Sequence, residues 1–163
     1  MGRAKHGPNR LRRYIEVHRT VMQQFLGGGV VLSEDLSFTD LGDGVVLLEG
    51  TIACVDDLRI EVSKRLQIVG DIAADPLVQT DGYSYSAILG KRGPIFRYDS
   101  PHPDHNQFHH VHRYAVLDGD VHGAAFPIEP QTEWPTLGEV IQELCDWYYD
   151  NLARLKSATD RQD

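Results

Sequence analysis

The sequence predicts an α+β domain: an antiparallel sheet of about five to six strands packed against a C-terminal helix, with an additional N-terminal helix. Three observations predict it. Apolar residues recur at helical spacing near the two ends of the 163-residue chain. Between them the texture changes to alternation with period two, cut by turns rich in Gly, Asp and Pro. The length suits one core, so residues 30–163 are expected to form a single α+β domain behind a basic tail and helix over 1–29.

Taken in order, residues 1–8 read as a loose tail. A helix is expected from an Asn9 cap, with Leu11, Tyr14, Ile15, His18, Met22 and Phe25 on one face and Arg12, Arg13, Glu16, Arg19 and Gln23 on the other. Three consecutive glycines, Gly27, Gly28 and Gly29, end it. A first strand is expected over 30–38. A second over 44–55 follows the Gly42-Asp43-Gly44 turn, and Asp56-Asp57 turns the chain into a third over 58–69. In that third strand Leu58, Ile60, Val62, Leu66 and Ile68 share one face, and Arg59, Glu61, Ser63, Arg65 and Gln67 the other. One side of the sheet should therefore meet a core while the other stays open. Further strands are expected over 83–89, over 95–99 after the Lys91–Pro94 turn, and near 110–117. The last helix starts after Pro135 with a capping box of Thr136 and Glu139. Leu137, Val140, Ile141, Leu144, Tyr148, Leu152 and Leu155 then recur at helical spacing.

Composition limits the function. The chain carries 16 basic and 24 acidic side chains, a net −8, which argues against a surface that coats nucleic acid generally. The charge is uneven: six basic residues stand in positions 1–19 against Glu16 alone, leaving −13 for the rest. No apolar run approaches the ~18–20 residues of a membrane span, and no apolar signal core follows the basic start. A cytoplasmic protein without membrane contact is the expectation. Cys54 and Cys145 have no zinc-finger spacing and suggest no disulfide framework.

Five of the eight histidines lie between 102 and 112. Strand alternation places Arg97 and Asp99 on one face, and His110 and His112 together with His109 turned away; Tyr83 and Tyr85 also share a face. Three readings of this stretch stand side by side. In the first it is a metal-independent ribonuclease: histidines move protons to and from the ribose oxygens while Arg97 holds the phosphate. In the second, His102, His105, His109, His110 and His112, with Asp99 and Asp104, supply ligands for zinc or iron in a non-enzymatic protein that partners a regulator, the preferred set being His102, His105, His110 and His112. In the third the histidines are exposed loop residues and Arg97–Asp99 merely supports the sheet.

The run Arg97-Tyr98-Asp99, continued by Ser100-Pro101-His102 and then His109-His110-Val111-His112, resembles the TumE family of toxins from type II toxin–antitoxin systems. Tyr83-Ser84-Tyr85 upstream, Leu58-Arg59-Ile60-Glu61 after its acidic turn, and Pro135-Thr136-Leu137 also fit, so the likeness spans roughly residues 44–152. The resemblance implies a small cytoplasmic toxin acting on RNA, encoded beside a helix-turn-helix antitoxin that binds it; a homodimer is admitted but not required. It implies no cofactor. Carried over by position, the site would comprise Arg97, Asp99, His102, His109, His110, His112 and Tyr85, with Glu61 beside them. Two departures stand out: Ser100 replaces the family's Asn, and the family's adjoining histidine pair is reduced to His102-Pro103, with His105 displaced. The helix before Gly27 is an addition to the family pattern.

Overall fold

In chain order the elements are β1 (Asn9–Arg10), α1 (Leu11–Leu26), β2 (Val31–Glu34), β3 (Ser37–Gly42), β4 (Val45–Cys54), β5 (Leu58–Gly70), β6 (Leu77–Leu89), β7 (Gly93–Asp99), β8 (His110–Arg113), a 3₁₀ turn at Val116–Asp118, β9 (Ala124–Pro127) and α2 (Leu137–Thr159). This is a computed structural model, and it describes residues 6–70, 74–101, 108–129 and 134–159. The sheet runs β2-β4-β5-β6-β7-β8-β9. β3 continues β2 along the same edge of β4, β1 lies beside the start of β6, and every pairing is antiparallel.

The architecture is α+β with a large antiparallel sheet, but nine strands replace the five to six expected. The span 30–38 is two strands rather than one, because the chain breaks at Asp35. The Asp35 carboxylate accepts the Thr51 N–H and stands over Gly50, where a Cβ would lie 2.6 Å from Asp35 Oδ1. Gly50 has φ +143°, so only glycine serves there. β1 and β9 are short edge additions without apolar alternation, and all four residues of β9 are exposed. Nothing in a hydrophobic pattern marks such strands.

The Asp56-Asp57 turn is a two-residue hairpin with positive φ at both positions (53° and 62°), closed by Leu58 N–H to Val55 O at 3.1 Å. That geometry follows the right-handed twist of β4 and β5. Along β5 the alternation is as read, and it carries Lys64, between Val62 and Leu66, to the core side, where it is only 6% exposed.

Both helices cover the same face of the sheet. α2 opens with the reciprocal capping box: Glu139 N–H donates to Thr136 Oγ1 at 3.3 Å, and Thr136 N–H donates to Glu139 Oε2 at 2.7 Å. Val140, Ile141 and Leu144 are buried against Ile60, Tyr85 and Phe96. Tyr98, on the core side of β7, donates to Glu143 Oε2 at 2.6 Å, and Arg113 pairs with the same carboxylate.

α1 starts one residue later than an Asn9 cap predicts. Asn9 belongs to β1, and its side-chain oxygen accepts the neighbouring Arg10 N–H. The orphan N–H groups of the first turn are met from elsewhere: Arg12 N–H by Asp75 Oδ1 at 2.9 Å, and Leu11 N–H by Pro76 O at 2.9 Å. Met22 enters the main core, while Leu11 and Tyr14 pack on Val46, Leu66 and Val78. The helix is therefore seated on the sheet. Among the described residues, no helix is long and apolar enough to cross a membrane. With both helices on one side, no helix among the described residues covers the other face of β5–β8, which is open at Glu61 and Arg97.

Candidate functional site

Strand register builds the open face into rows. Ser63, Ser84, Asp99 and His110 are successive cross-strand partners on β5, β6, β7 and β8. One step along, Glu61, Ser86, Arg97 and His112 form the next row. Directly opposed side chains stand ~4.5–5.5 Å apart at Cβ, close enough to act together.

Asp99 is the anchor and is 3% exposed. It accepts the Ser84 hydroxyl at 2.8 Å, and Arg97 Nε lies 3.0 Å from its Oδ1 and 2.8 Å from its Oδ2. His110, also buried, has Nδ1 2.8 Å from the Phe108 carbonyl. A carbonyl only accepts, so Nδ1 carries the proton and Nε2 points elsewhere; it lies 3.9 Å from Asp99 Oδ2. The His110 and His112 rings meet edge to face with centroids 4.9 Å apart. One ligating atom from each of Asp99, His110 and His112 falls within 4.8 Å of the others.

The two rows differ in exposure, and that divides the labour. Asp99 and His110 are buried, whereas Arg97 is 47% exposed at its side chain and His112 half-buried. Arg97 also lines a shallow groove of about 240 Å³ with Glu61, Ser63, Ser84 and Ser86. A buried carboxylate and imidazole therefore support a cation and an imidazole at the surface. Tyr114 extends the group: its ring stacks toward His112 at 6.3 Å, and it lies within the fields of Arg97 and Asp99. Burial raises its phenol, more than Arg97 lowers it, so it keeps its proton at neutral pH.

Of the residues singled out in the sequence, Arg97, Asp99, His110 and His112 come together, with Glu61 at the groove. Glu61 is exposed and pairs with Arg59 at 3.2 Å. Tyr85 and His109 do not join them. Tyr85 is fully buried on the core face, stacked on Tyr83 at 5.2 Å. His109 shares a 2.9 Å hydrogen bond with the Tyr83 hydroxyl and stacks on Trp134 with centroids 3.4 Å apart. Burial, aided by His6 and His110, pushes its pKa down to about 4, which leaves a neutral ring. His102 and His105 lie outside the described residues, as does Asp104.

Sequence reasoning missed Ser84, Ser86 and Tyr114. The signal was present in Tyr83-Ser84-Tyr85-Ser86, where period two turns both serines to the face opposite the tyrosines. Ser100 is employed otherwise: its hydroxyl accepts the Tyr83 N–H at 3.0 Å and its own N–H donates to Tyr83 O at 2.9 Å. It closes the β6–β7 pairing and, among the described residues, makes no hydrogen bond to a histidine. Comparison with family models, with curated proteins and with solved structures finds no match for the chain.

Proposed function

We propose that this protein is the toxin of a type II toxin–antitoxin pair, of the TumE kind, and that it cleaves RNA in the cytoplasm without a metal at the Arg97–Asp99–His110–His112 site. The observation that carries the chemistry is the pair of adjacent rows, Asp99–His110 buried and Arg97–His112 at the surface. The assignment to toxins rests on the motif resemblance.

In this reading a scissile phosphate lies in the groove against Arg97, whose guanidinium offsets the charge that grows on the phosphorane. His112 takes the proton of the ribose 2′-hydroxyl, whose oxygen attacks phosphorus to give a 2′,3′-cyclic phosphate. Tyr114 gives the departing 5′-oxygen its proton. Asp99 holds Arg97 through Nε, and His110 packs edge to face on His112, so both act by positioning. The acidic body suits a basic, helix-turn-helix antitoxin encoded by an adjacent gene, since opposite charge speeds association.

Expression of His112→Ala and Arg97→Ala variants tests this. Loss of a general base costs ~10²–10⁴-fold in rate, so each variant should relieve growth arrest and spare a labelled RNA. A double variant as toxic as the wild type would overturn the assignment. One specific observation supports a metal reading: the 4.8 Å cluster of Asp99, His110 and His112, with His110 Nδ1 held by a carbonyl as in many metal-bound histidines. The guanidinium on Asp99 disfavours a dication there. Stoichiometric zinc in the purified protein, lost in His110→Ala and His112→Ala, would favour that reading; toxicity and RNA cleavage indifferent to EDTA would favour the metal-free one.

A further inference from the structure

The opposite side of the sheet holds a second feature that the ribonuclease reading does not use. A cavity of about 260 Å³ lies between α1, the core face of β4–β6 and the first turn of α2. Val17, Leu48, Val78 and Leu137 make its walls apolar. Lys64 lies on it, 6% exposed, with its ammonium 5.2 Å from the Tyr14 ring centroid. No carboxylate among the described residues pairs with that ammonium. The Tyr14 hydroxyl, on the cavity wall, and the Tyr85 hydroxyl, fully buried and not part of the wall, are the phenol neighbours of that ammonium.

A buried cation without a counter-charge is unusual, because removing a charge from water without an opposite charge beside it is unfavourable. Burial works against the Lys64 ammonium; the phenol oxygens of Tyr85 and Tyr14 work for it and keep it charged. The first turn of α2 adds the positive end of a helix dipole. The capping box occupies the Thr136 and Glu139 N–H groups, while Leu137 and Gly138, both on the cavity wall, have no intrahelical acceptor.

The structure assigns this cavity to a small organic monocarboxylate with an apolar body, its carboxylate set against the Lys64 ammonium and beside Tyr14 on the same wall. One positive charge suits one negative charge. Of the two imidazoles on the wall, His6 turns its Nε2 to the Trp134 carbonyl at 2.8 Å, and His18 is held below its ordinary value by burial, with Lys64 and Arg19 acting in the same direction against Glu34. It therefore adds no charge at neutral pH, and a phosphate dianion would be half uncompensated. At ~30 Å³ per water-sized unit the space takes a ligand of about nine non-hydrogen atoms. A benzoate or a short fatty acid is of that size.

Titration calorimetry of the full-length protein with benzoate, benzyl alcohol and inorganic phosphate tests the assignment. Benzoate should bind saturably at one site, and benzyl alcohol at least about tenfold more weakly because it lacks the charge. Phosphate should not compete. Lys64→Met, which keeps length and removes charge, should weaken benzoate at least about tenfold; Tyr14→Phe, which removes a hydroxyl from the wall, should weaken it severalfold while circular dichroism remains that of the wild type. Absence of saturable benzoate binding, equal affinity for the alcohol, or unchanged affinity in Tyr14→Phe would each overturn the assignment, even if Lys64→Met failed to fold. The cavity and the Asp99 cluster are on opposite faces of the sheet, so none of these results depends on RNA cleavage.

Discussion

Acidification should weaken the fold through His109, and the sign and size follow from its surroundings. The ring is stacked on Trp134 and hydrogen-bonded to Tyr83, and its folded pKa of about 4 lies below the ordinary 6.5. Between those values the unfolded chain binds a proton that the folded chain refuses. Stability from this residue is therefore complete above pH 6.5 and is lost as the pH falls toward 4. Two and a half units correspond to at most ~3.4 kcal/mol. The ring is half-buried, so solvent screens part of this, and about 1–2 kcal/mol remains. For a chain of this size that is a Tm change of ~2–8 °C. Urea denaturation at pH 7.5 and at pH 5.0, for the wild type and for His109→Phe, isolates the effect. Phenylalanine keeps the stack and cannot take up a proton, and other titrating groups cancel in the comparison. The wild type should lose about 1 kcal/mol more than the variant between the two pH values. Equal losses would refute the neutral, stacked assignment of His109.

Three further substitutions test the scaffold and the site. Asp99→Asn removes the charge that Arg97 and Ser84 share and should cost ~1–2 kcal/mol, Arg97 being half solvated; urea midpoints check this, and RNA cleavage should fall with it. Thr136→Ala deletes one half of the capping box and should cost about 1 kcal/mol in the same assay. Gly50→Ala places a Cβ 2.6 Å from Asp35 Oδ1 at φ +143°. It should cost at least ~2 kcal/mol by strain and steric conflict, seen as a lowered Tm.

Local signals in the sequence determined the elements whose physics is local. The Thr136–Glu139 box and the apolar stripe behind it define α2 because a helix satisfies its first N–H groups and buries its stripe within a few residues. Alternation determined that His110 and His112 share a face and that His109 points away, because successive strand residues face opposite sides whatever the partner strand. Pairings distant in the chain were decided by tertiary structure alone. Asp75 caps α1 from 63 residues beyond Arg12, and edge strands β1 and β9 exist only because β6 and β8 offer open edges. The register that sets Asp99 opposite His110 depends on how β7 meets β8. Lys64 shows the limit most clearly. A lysine in a strand is ordinarily at the surface, yet its position on β5 faces the core and α1 covers it. Whether a charge is solvated or buried depends on what lies above it, and the residues above it come from another part of the chain.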